Sequence, residues 1–173
     1  MLAGSGFFTY ADAMATLAEQ NPKITNFLER NHTAVLATAN KETGQPHAAV
    51  VYYTISSKLH LYFVTKRDTA KSRNLEANPQ VAMVIYEADT QSSVQLYGQA
   101  TAIEDPQKLQ SALAMMAGHA KATAQTESLP ISKLNAGDHV LYQVVPRNIR
   151  LAEYKYGAGD NIFEVVVPNE TAL

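Results

Sequence analysis

Apolar and polar positions alternate along most of the chain after residue 32, and this pattern predicts a series of short β-strands. Several of these segments are joined by loops of only a few residues, which favours antiparallel neighbours because a parallel crossover needs about a dozen residues. The predicted strands cover residues 33–39, 47–55, 59–65, 81–87, 92–103, 140–145, 148–154 and 162–167. Pro146-Arg147 is predicted to separate the sixth strand from the seventh.

Helical spacing of apolar residues is confined to a few places. Thr9 is predicted to cap a first helix, and Asn21-Pro22 begins a second one with proline at its first position. A short helix is predicted over 69–77, and Asp105-Pro106 begins a longer one. Residues 120–135 are polar and rich in Ala, Thr and Ser, so a long loop is predicted there.

This order of elements predicts a mainly β fold, a closed or nearly closed antiparallel barrel with a few inserted helices. We expect one domain over residues 1–173, with N-terminal helices in 1–31 and the barrel in 32–173. The segment 47–53 is apolar on both faces, whereas a strand with one wet face should alternate. A partner subunit, a flat aromatic ligand or a helix of the same chain would each cover the second face.

Composition excludes several classes of function. The formal net charge is -2, so no basic footprint for nucleic acid is present. The chain has no cysteine, which excludes disulfides, thiolate catalysis and Cys-ligated metal sites. No apolar run is long enough to span a bilayer or to form a signal peptide. We therefore expect a cytoplasmic protein without a membrane partner.

Residues 65–73 carry the strongest chemical pattern. Four of the fourteen basic side chains lie here, where a strand runs into the first turn of a helix. Cations at a helix N-terminus are unfavourable unless an anion joins them, since that end is itself partly positive. Free backbone N–H groups, the hydroxyls of Thr65, Thr69 and Ser72, and Lys71 would together hold a phosphate. The alternative is an ordinary basic turn that faces water.

Other catalytic or metal-binding patterns are weak. The five histidines are not spaced as metal ligands and no acidic cluster joins them, so no metal site is expected. No serine lies in a Gly-x-Ser-x-Gly setting, and the chain shows no glycine-rich nucleotide loop that leads into a helix. The sequence names no catalytic residue.

Several stretches together resemble the pyridoxamine 5'-phosphate oxidase-like FMN-binding split barrels. In chain order these are GQPHAAVVYY (44–53), LYFVT (61–65), KSRNLEANPQVA (71–82), residues 94–102 with Gly98, and VVPR (144–147). The resemblance covers about residues 24–154 and rests on the order and spacing of these stretches. It implies a six-stranded antiparallel split barrel that forms a homodimer, with FMN in a groove between the subunits.

The resemblance also implies the residues that bind the cofactor. Val50 and Val51 match the strand whose backbone passes the isoalloxazine ring, and Thr65, Thr69 and Lys71 match the positions that hold the phosphate. Ser93 is near a position from which relatives reach the flavin of the neighbouring subunit with a polar side chain.

Two departures separate this chain from the oxidase itself. Ala70 replaces a basic residue that precedes the phosphate-binding lysine, and Arg67 and Arg73 are the candidates to substitute for it. The Arg-Leu-His element that holds pyridoxal phosphate in the oxidase has no counterpart in 153–163. The resemblance therefore implies an FMN-dependent oxidoreductase with another small-molecule substrate. The alternative is a non-catalytic protein that binds flavin, deazaflavin or haem on the same barrel.

Overall fold

A computed structural model describes residues 19, 21–122, 138–154 and 161–166, and these contain seven strands and three helices. The predicted helix after Thr9 and most of the predicted loop 120–135 lie outside these residues. In chain order the elements are α1 (Pro22–Arg30), β1 (Thr33–Ala39), β2 (Pro46–Ile55), β3 (Leu61–Lys66), α2 (Ala70–Ala77), β4 (Gln80–Glu87), β5 (Ser92–Ile103), α3 (Pro106–Ala122), β6 (His139–Glu153) and β7 (Asn161–Val166).

Six of the strands close into an antiparallel barrel. The hydrogen-bonded order is β3-β2-β1-β4-β5-β6-β7, and an additional pairing of β3 with β6 closes the ring. The seventh strand lies outside the ring and pairs with residues 148–153 of β6. The predicted mainly β, six-stranded antiparallel barrel is confirmed. Among the helices of the described residues, none is long and apolar enough to cross a membrane.

The barrel interior is filled by the inward-facing residues of every strand of the ring, and α1 packs against this core. Ile24, Phe27 and Leu28 of α1 are buried in the same hydrophobic cluster as the barrel residues. The Tyr53 hydroxyl, on β2, donates a hydrogen bond of 3.0 Å to the carbonyl oxygen of Leu28. That carbonyl belongs to the last turn of α1, where it has no partner within the helix. The bond therefore fixes the end of α1 to the barrel.

The predicted break between the sixth and seventh strands is wrong. Residues 139–153 form one continuous strand, β6, and Pro146 lies within it. The register against β5 shifts at this point, from Tyr97↔Asn148 to Gly98↔Pro146, which leaves Arg147 as the extra residue of a β-bulge. A bulge is one of the few places where a strand tolerates proline. Gly98 is required opposite it, because a Cβ there would lie 2.2 Å from the carbonyl oxygen of Val145.

The predicted helix start at Asp105-Pro106 is confirmed, and the short helix predicted over 69–77 spans Ala70–Ala77. The hydroxyl of Thr69 accepts a hydrogen bond from the backbone N–H of Ser72 and caps α2. The carboxylate of Asp105 accepts bonds from the N–H groups of Gln107 and Lys108 and caps α3. The latter helix extends to Ala122, so the first three residues of the predicted loop 120–135 are helical instead.

Candidate functional site

The basic turn predicted to bind phosphate lies between β3 and α2. Thr65 is near the end of β3, and Thr69 is the N-cap of α2. Their hydroxyl oxygens lie 3.4 Å apart. The Thr69 hydroxyl also donates to the carbonyl oxygen of Lys66 at 2.9 Å, so the proton between the two threonines comes from Thr65 in this arrangement. The structure thus brings two of the predicted phosphate-binding residues together at the start of the helix.

Lys71 follows directly in the first turn of α2. It is half-buried, and burial lowers the pKa of its ammonium group. No carboxylate of the described residues lies within ion-pair distance of it, and α2 has no acidic residue in its first turn. A cation at this end of a helix opposes the helix dipole. Charge, burial and position therefore all favour an anion beside Lys71.

The expectation that the Ser72 hydroxyl would also meet the phosphate is not supported. Ser72 is fully buried, and its hydroxyl oxygen lies 3.1 Å from that of Tyr142 on β6. Tyr142 is itself buried and stacks on Phe63, with ring centroids 5.3 Å apart. Ser72 therefore fastens α2 to the barrel wall. Only its backbone N–H is directed to the cap, where it bonds to Thr69.

Arg67 and Arg73, the two candidates to replace the cation missing at Ala70, differ in their surroundings. The Arg67 guanidinium lies 2.7 Å from a carboxylate oxygen of Glu104 and 3.1 Å from one of Asp138. These two carboxylates raise the pKa of Arg67 and neutralise its charge locally. The Arg73 guanidinium instead donates to the backbone carbonyl oxygen of Asp68 at 2.7 Å.

A cavity of about 340 Å³ opens beside this turn, between α2 and the hairpin that joins β1 to β2. Asn74, on the same helix, is buried and donates a hydrogen bond of 3.1 Å to the Thr38 hydroxyl of β1. This bond holds the helix against the strand at the inner end of the cavity. The sequence alone gives no sign of this cavity, because its two walls are about thirty residues apart in the chain. Its lining residues are Asn40, Gln45, Pro46, His47, Ala70, Arg73 and Asn74.

One edge of β2 is open next to this site. β3 pairs with β2 only at Tyr53, Thr54 and Ile55, so within the described ranges residues 46–52 have a strand neighbour on the β1 side alone. The N–H of Tyr53 bonds to the carbonyl oxygen of His32, on the β1 side. Because backbone groups of successive strand residues point to alternate sides, those of Val50 point to the open edge.

Val50 and Val51 have different environments. The Val50 side chain faces outward and is 67% exposed, whereas that of Val51 faces the barrel core and is 4% exposed. Of the two predicted flavin contacts, Val50 is therefore the one whose side chain and outer backbone edge are both uncovered by described residues. Val51 contributes to the core, and its backbone groups point to β1 by the same alternation.

The outer face of the barrel around Val50 is apolar across four strands. Val35 pairs with Val50 on one side and with Val84 on the other, and the face continues to β5 through the pair Ala82↔Tyr97. Of the seven large hydrophobic side chains that are exposed in the described residues, five lie on this face: Val35, Val50, Val84, Tyr86 and Tyr97. We call these five residues the outer patch. A contiguous apolar surface of this kind is typical of an interaction site.

Ser93, the last of the predicted cofactor residues, is on β5 and pairs with Tyr86 on the neighbouring strand. By strand alternation its side chain is on the same face as the outer patch, but it is 8% exposed. The structure does not bring Ser93 next to the Thr65–Lys71 turn of the same chain by any strand pairing. Within the described ranges, no three His, Asp or Glu side chains are grouped as a metal site would require.

Comparison with known proteins agrees with this architecture. The sequence profile described as "Pyridoxamine 5'-phosphate oxidase" matches residues 20–151. A comparison with curated proteins found no match.

Three solved structures share the fold at low sequence identity. A pyridoxamine 5'-phosphate oxidase-related, FMN-binding protein from Nostoc punctiforme has a TM-score of 0.59 and 18% identity, with 96% of this chain and 94% of that one covered. A conserved hypothetical protein from Mycobacterium tuberculosis has a TM-score of 0.64 and 22% identity, over 80% and 91% of the two chains. HutZ, the heme storage protein from Vibrio cholerae, has a TM-score of 0.56 and 21% identity, over 72% and 88%. Since the profile matches most of the chain, this protein belongs to the pyridoxamine 5'-phosphate oxidase family of FMN-binding-type barrels.

Proposed function

We propose that this protein is an oxidoreductase that binds FMN and acts on a small molecule. We also propose that it is a cytoplasmic homodimer. The observation that carries the proposal is Lys71, a half-buried cation without a carboxylate partner among the described residues, in the first turn of α2. An organic phosphate would supply the missing negative charge. Family membership and the FMN-binding relative from Nostoc punctiforme favour a flavin phosphate over other phosphates.

Thr65, Thr69 and Lys71 are the residues that would hold the phosphate. The helix contributes the backbone N–H groups of its first turn, which have no partner within a helix. The Thr65 hydroxyl, which donates to Thr69 here, is able to turn its proton to a ligand oxygen without breaking the bond of Thr69 to Lys66. Such charge-assisted hydrogen bonds are about twice as strong as neutral ones.

The open edge of β2 would receive the isoalloxazine ring. The backbone N–H and C=O groups of Val50 point to this edge, and a flavin ring has complementary donors and acceptors along its pyrimidine side. Backbone donors near the ring tune the reactivity of a flavin, while the bound flavin itself supplies hydride or electron transfer. The role of the chain is then to bind, to orient the ring and to exclude water from one of its faces.

The outer patch supports a homodimer in which the ring is enclosed between two copies. Five exposed hydrophobic side chains on one face are costly in a monomer, and twofold association buries the same patch on both subunits. Ser93 is on this face by strand alternation, and we infer that it contacts the cofactor of the partner subunit. We infer that each site needs both subunits.

Haem is the second candidate, because HutZ, the heme storage protein, has the same fold. The two candidate cofactors would require different interactions from the protein around Lys71. A flavin phosphate requires a compact anion site with hydrogen-bond donors, whereas haem needs an axial ligand to its iron. The turn from Thr65 to Lys71 offers the former.

The test is to measure flavin binding by the purified protein and by two lysine variants. We expect the parent protein to bind FMN more tightly than riboflavin, which lacks the phosphate. Lys71→Met keeps an apolar stem and removes one charged hydrogen bond, worth about 1.5–3 kcal/mol, so FMN should bind roughly 10- to 150-fold more weakly. Riboflavin affinity should hardly change.

Lys58→Met is the matched control. Lys58 is exposed in the turn before β3, at the opposite end of that strand from Thr65 and roughly 20 Å away. This variant should bind FMN like the parent. A parent protein that ignores FMN but gives a Soret band with haem would replace the flavin proposal by the haem one. Equal loss of FMN affinity in both lysine variants would show that the phosphate site lies elsewhere.

A further inference from the structure

The 340 Å³ cavity beside α2 gives the phosphate site a second wall. Three of its lining residues, Ala70, Arg73 and Asn74, are spaced i, i+3 and i+4 and so form one face of α2. The opposite wall is the β1–β2 hairpin with His47. Ala70 is the residue between the cap Thr69 and Lys71, so the cavity borders the proposed phosphate cradle.

Arg73 places its charge at this boundary although it is a full helical turn further along the chain. Its guanidinium folds back toward the start of α2 and donates to the carbonyl oxygen of Asp68, five residues earlier. A guanidinium has five N–H donors, and this is the hydrogen bond that it makes with described residues. No carboxylate in the described ranges lies within ion-pair distance of it. Its remaining donors and its whole charge are available to a ligand.

The other cations of the turn are not available in this way. Arg67 is held by Glu104 and Asp138 at 2.7 and 3.1 Å. Lys66 is exposed and, by strand alternation, on the opposite face of β3 from Thr65. Lys71 and Arg73 are therefore the two cations of residues 65–73 that combine an uncompensated charge with a position on α2.

One polar atom in the wall of this cavity has no hydrogen-bond partner among the described residues. The imidazole of His47 lines it, and the Nδ1 atom of that ring is enclosed without a hydrogen-bond partner among the described residues. A buried polar atom of this kind normally has a partner, either protein or water. A volume of about 340 Å³ has room for a phosphate group together with the waters or ligand hydroxyls next to it.

We propose that Arg73 is the second cation of the phosphate site and replaces, from one turn along the helix, the side chain that Ala70 does not supply. The inference rests on the proposed binding of FMN. The phosphate is held by Lys71 and Arg73 together, and the cavity lined by His47 accommodates the rest of its hydration or the adjoining ribityl hydroxyls. A doubly charged phosphate with two cationic partners is held far more firmly than with one.

The experiment compares FMN and riboflavin affinities of the flavin-free protein by calorimetry. Arg73→Gln should weaken FMN binding roughly 10- to 100-fold and riboflavin binding less than about threefold. Arg73→Lys should fall between the parent and this variant. Arg67→Gln, the matched control, should leave both affinities unchanged because Arg67 is neutralised by its own carboxylates. Inorganic phosphate should raise the melting temperature of the parent and of Arg67→Gln more than that of Arg73→Gln.

Loss of FMN and riboflavin affinity by equal factors would overturn the inference, since it would mean that Arg73 only braces the turn through Asp68. Unchanged FMN affinity together with a lost response to inorganic phosphate would overturn it too, and would make the cavity a separate anion site. A parent protein that binds no FMN would instead sink the proposed function. Should Arg73→Gln fold poorly, Arg73→Met takes its place because it keeps the apolar stem of the side chain. The double variant Ala70→Arg/Arg73→Met should then restore the preference for FMN over riboflavin, because it returns a cation to the same cavity.

Discussion

Replacement of Gly98 by alanine tests the bulge that keeps β6 continuous. The added Cβ would lie 2.2 Å from the Val145 carbonyl oxygen and 2.8 Å from the Cα of Pro146. Both atoms are backbone, so neither is able to rotate away as a side chain would. Overpacking typically costs 1–3 kcal/mol, and a clash with backbone belongs at the upper end, about 3 kcal/mol. For a chain of this length that corresponds to a fall in melting temperature of roughly 6–12 °C.

Thermal unfolding followed by circular dichroism is sufficient for this measurement. Gly118→Ala provides the control, because Gly118 is in the exposed part of α3 and a Cβ there meets nothing within 4 Å. That variant should be more stable than the parent by up to about 1 kcal/mol, since alanine is the better helix former. If Gly98→Ala were as stable as the parent, the close approach of β5 to β6 at the bulge would be wrong, and with it the register of these two strands.

Two further substitutions test the attachment of α1. The Glu87 carboxylate accepts two hydrogen bonds from Arg30, at 2.8 and 2.9 Å, and one from the Thr90 hydroxyl, and the hydrogen bond from Arg30 is the main cause that lowers its pKa to about 2. The contribution of the Glu87 carboxylate to stability is thus present above pH 4.5 and lost as the pH falls toward 2. In urea titrations, the difference in unfolding free energy between the parent and Glu87→Gln should therefore shrink over that range. A constant difference would refute the ion pair. Tyr53→Phe should lower the free energy of unfolding by about 1–2 kcal/mol because the Leu28 carbonyl loses its buried donor, whereas Tyr154→Phe, at an exposed position outside the outer patch, should be neutral in the same assay.

Strand positions were predictable because each strand carries its own local pattern. The predicted bounds 33–39 and 92–103 match β1 and β5 at both ends. The start of α3 was predictable for the same reason, because its N-cap Asp105 directly precedes Pro106. The prediction of a strand break at Pro146, made from a local rule about proline, was wrong. Proline is excluded from regular strands, but the glycine opposite it lies 48 residues earlier in the chain, and only the pairing shows that the two residues share a bulge.

Within the candidate site, the sequence identified which residues lie in the turn but not their separate roles. The sequence does not distinguish Arg67 from Arg73. Of the two, only Arg67 forms ion pairs with described residues, and its partners Glu104 and Asp138 are distant in the chain. The Ser72 hydroxyl was likewise predicted to bind phosphate, but it forms a hydrogen bond with the hydroxyl of Tyr142, which is 70 residues away in the chain. Roles that depend on partners so far along the chain require the folded structure.

The open edge of β2 has a consequence for the solubility of the protein. An unpaired strand edge is a template on which strands of other molecules add, and proteins usually guard such edges with charged residues. Residues 46–52 contain no Lys, Arg, Asp or Glu, and a single proline, Pro46, at the start of the strand is their only safeguard of this type. A ligand or partner subunit that covers this edge would therefore also prevent its pairing with strands of other molecules. If FMN covers this edge as proposed, its removal should be detected first as aggregation, before any change in the barrel itself.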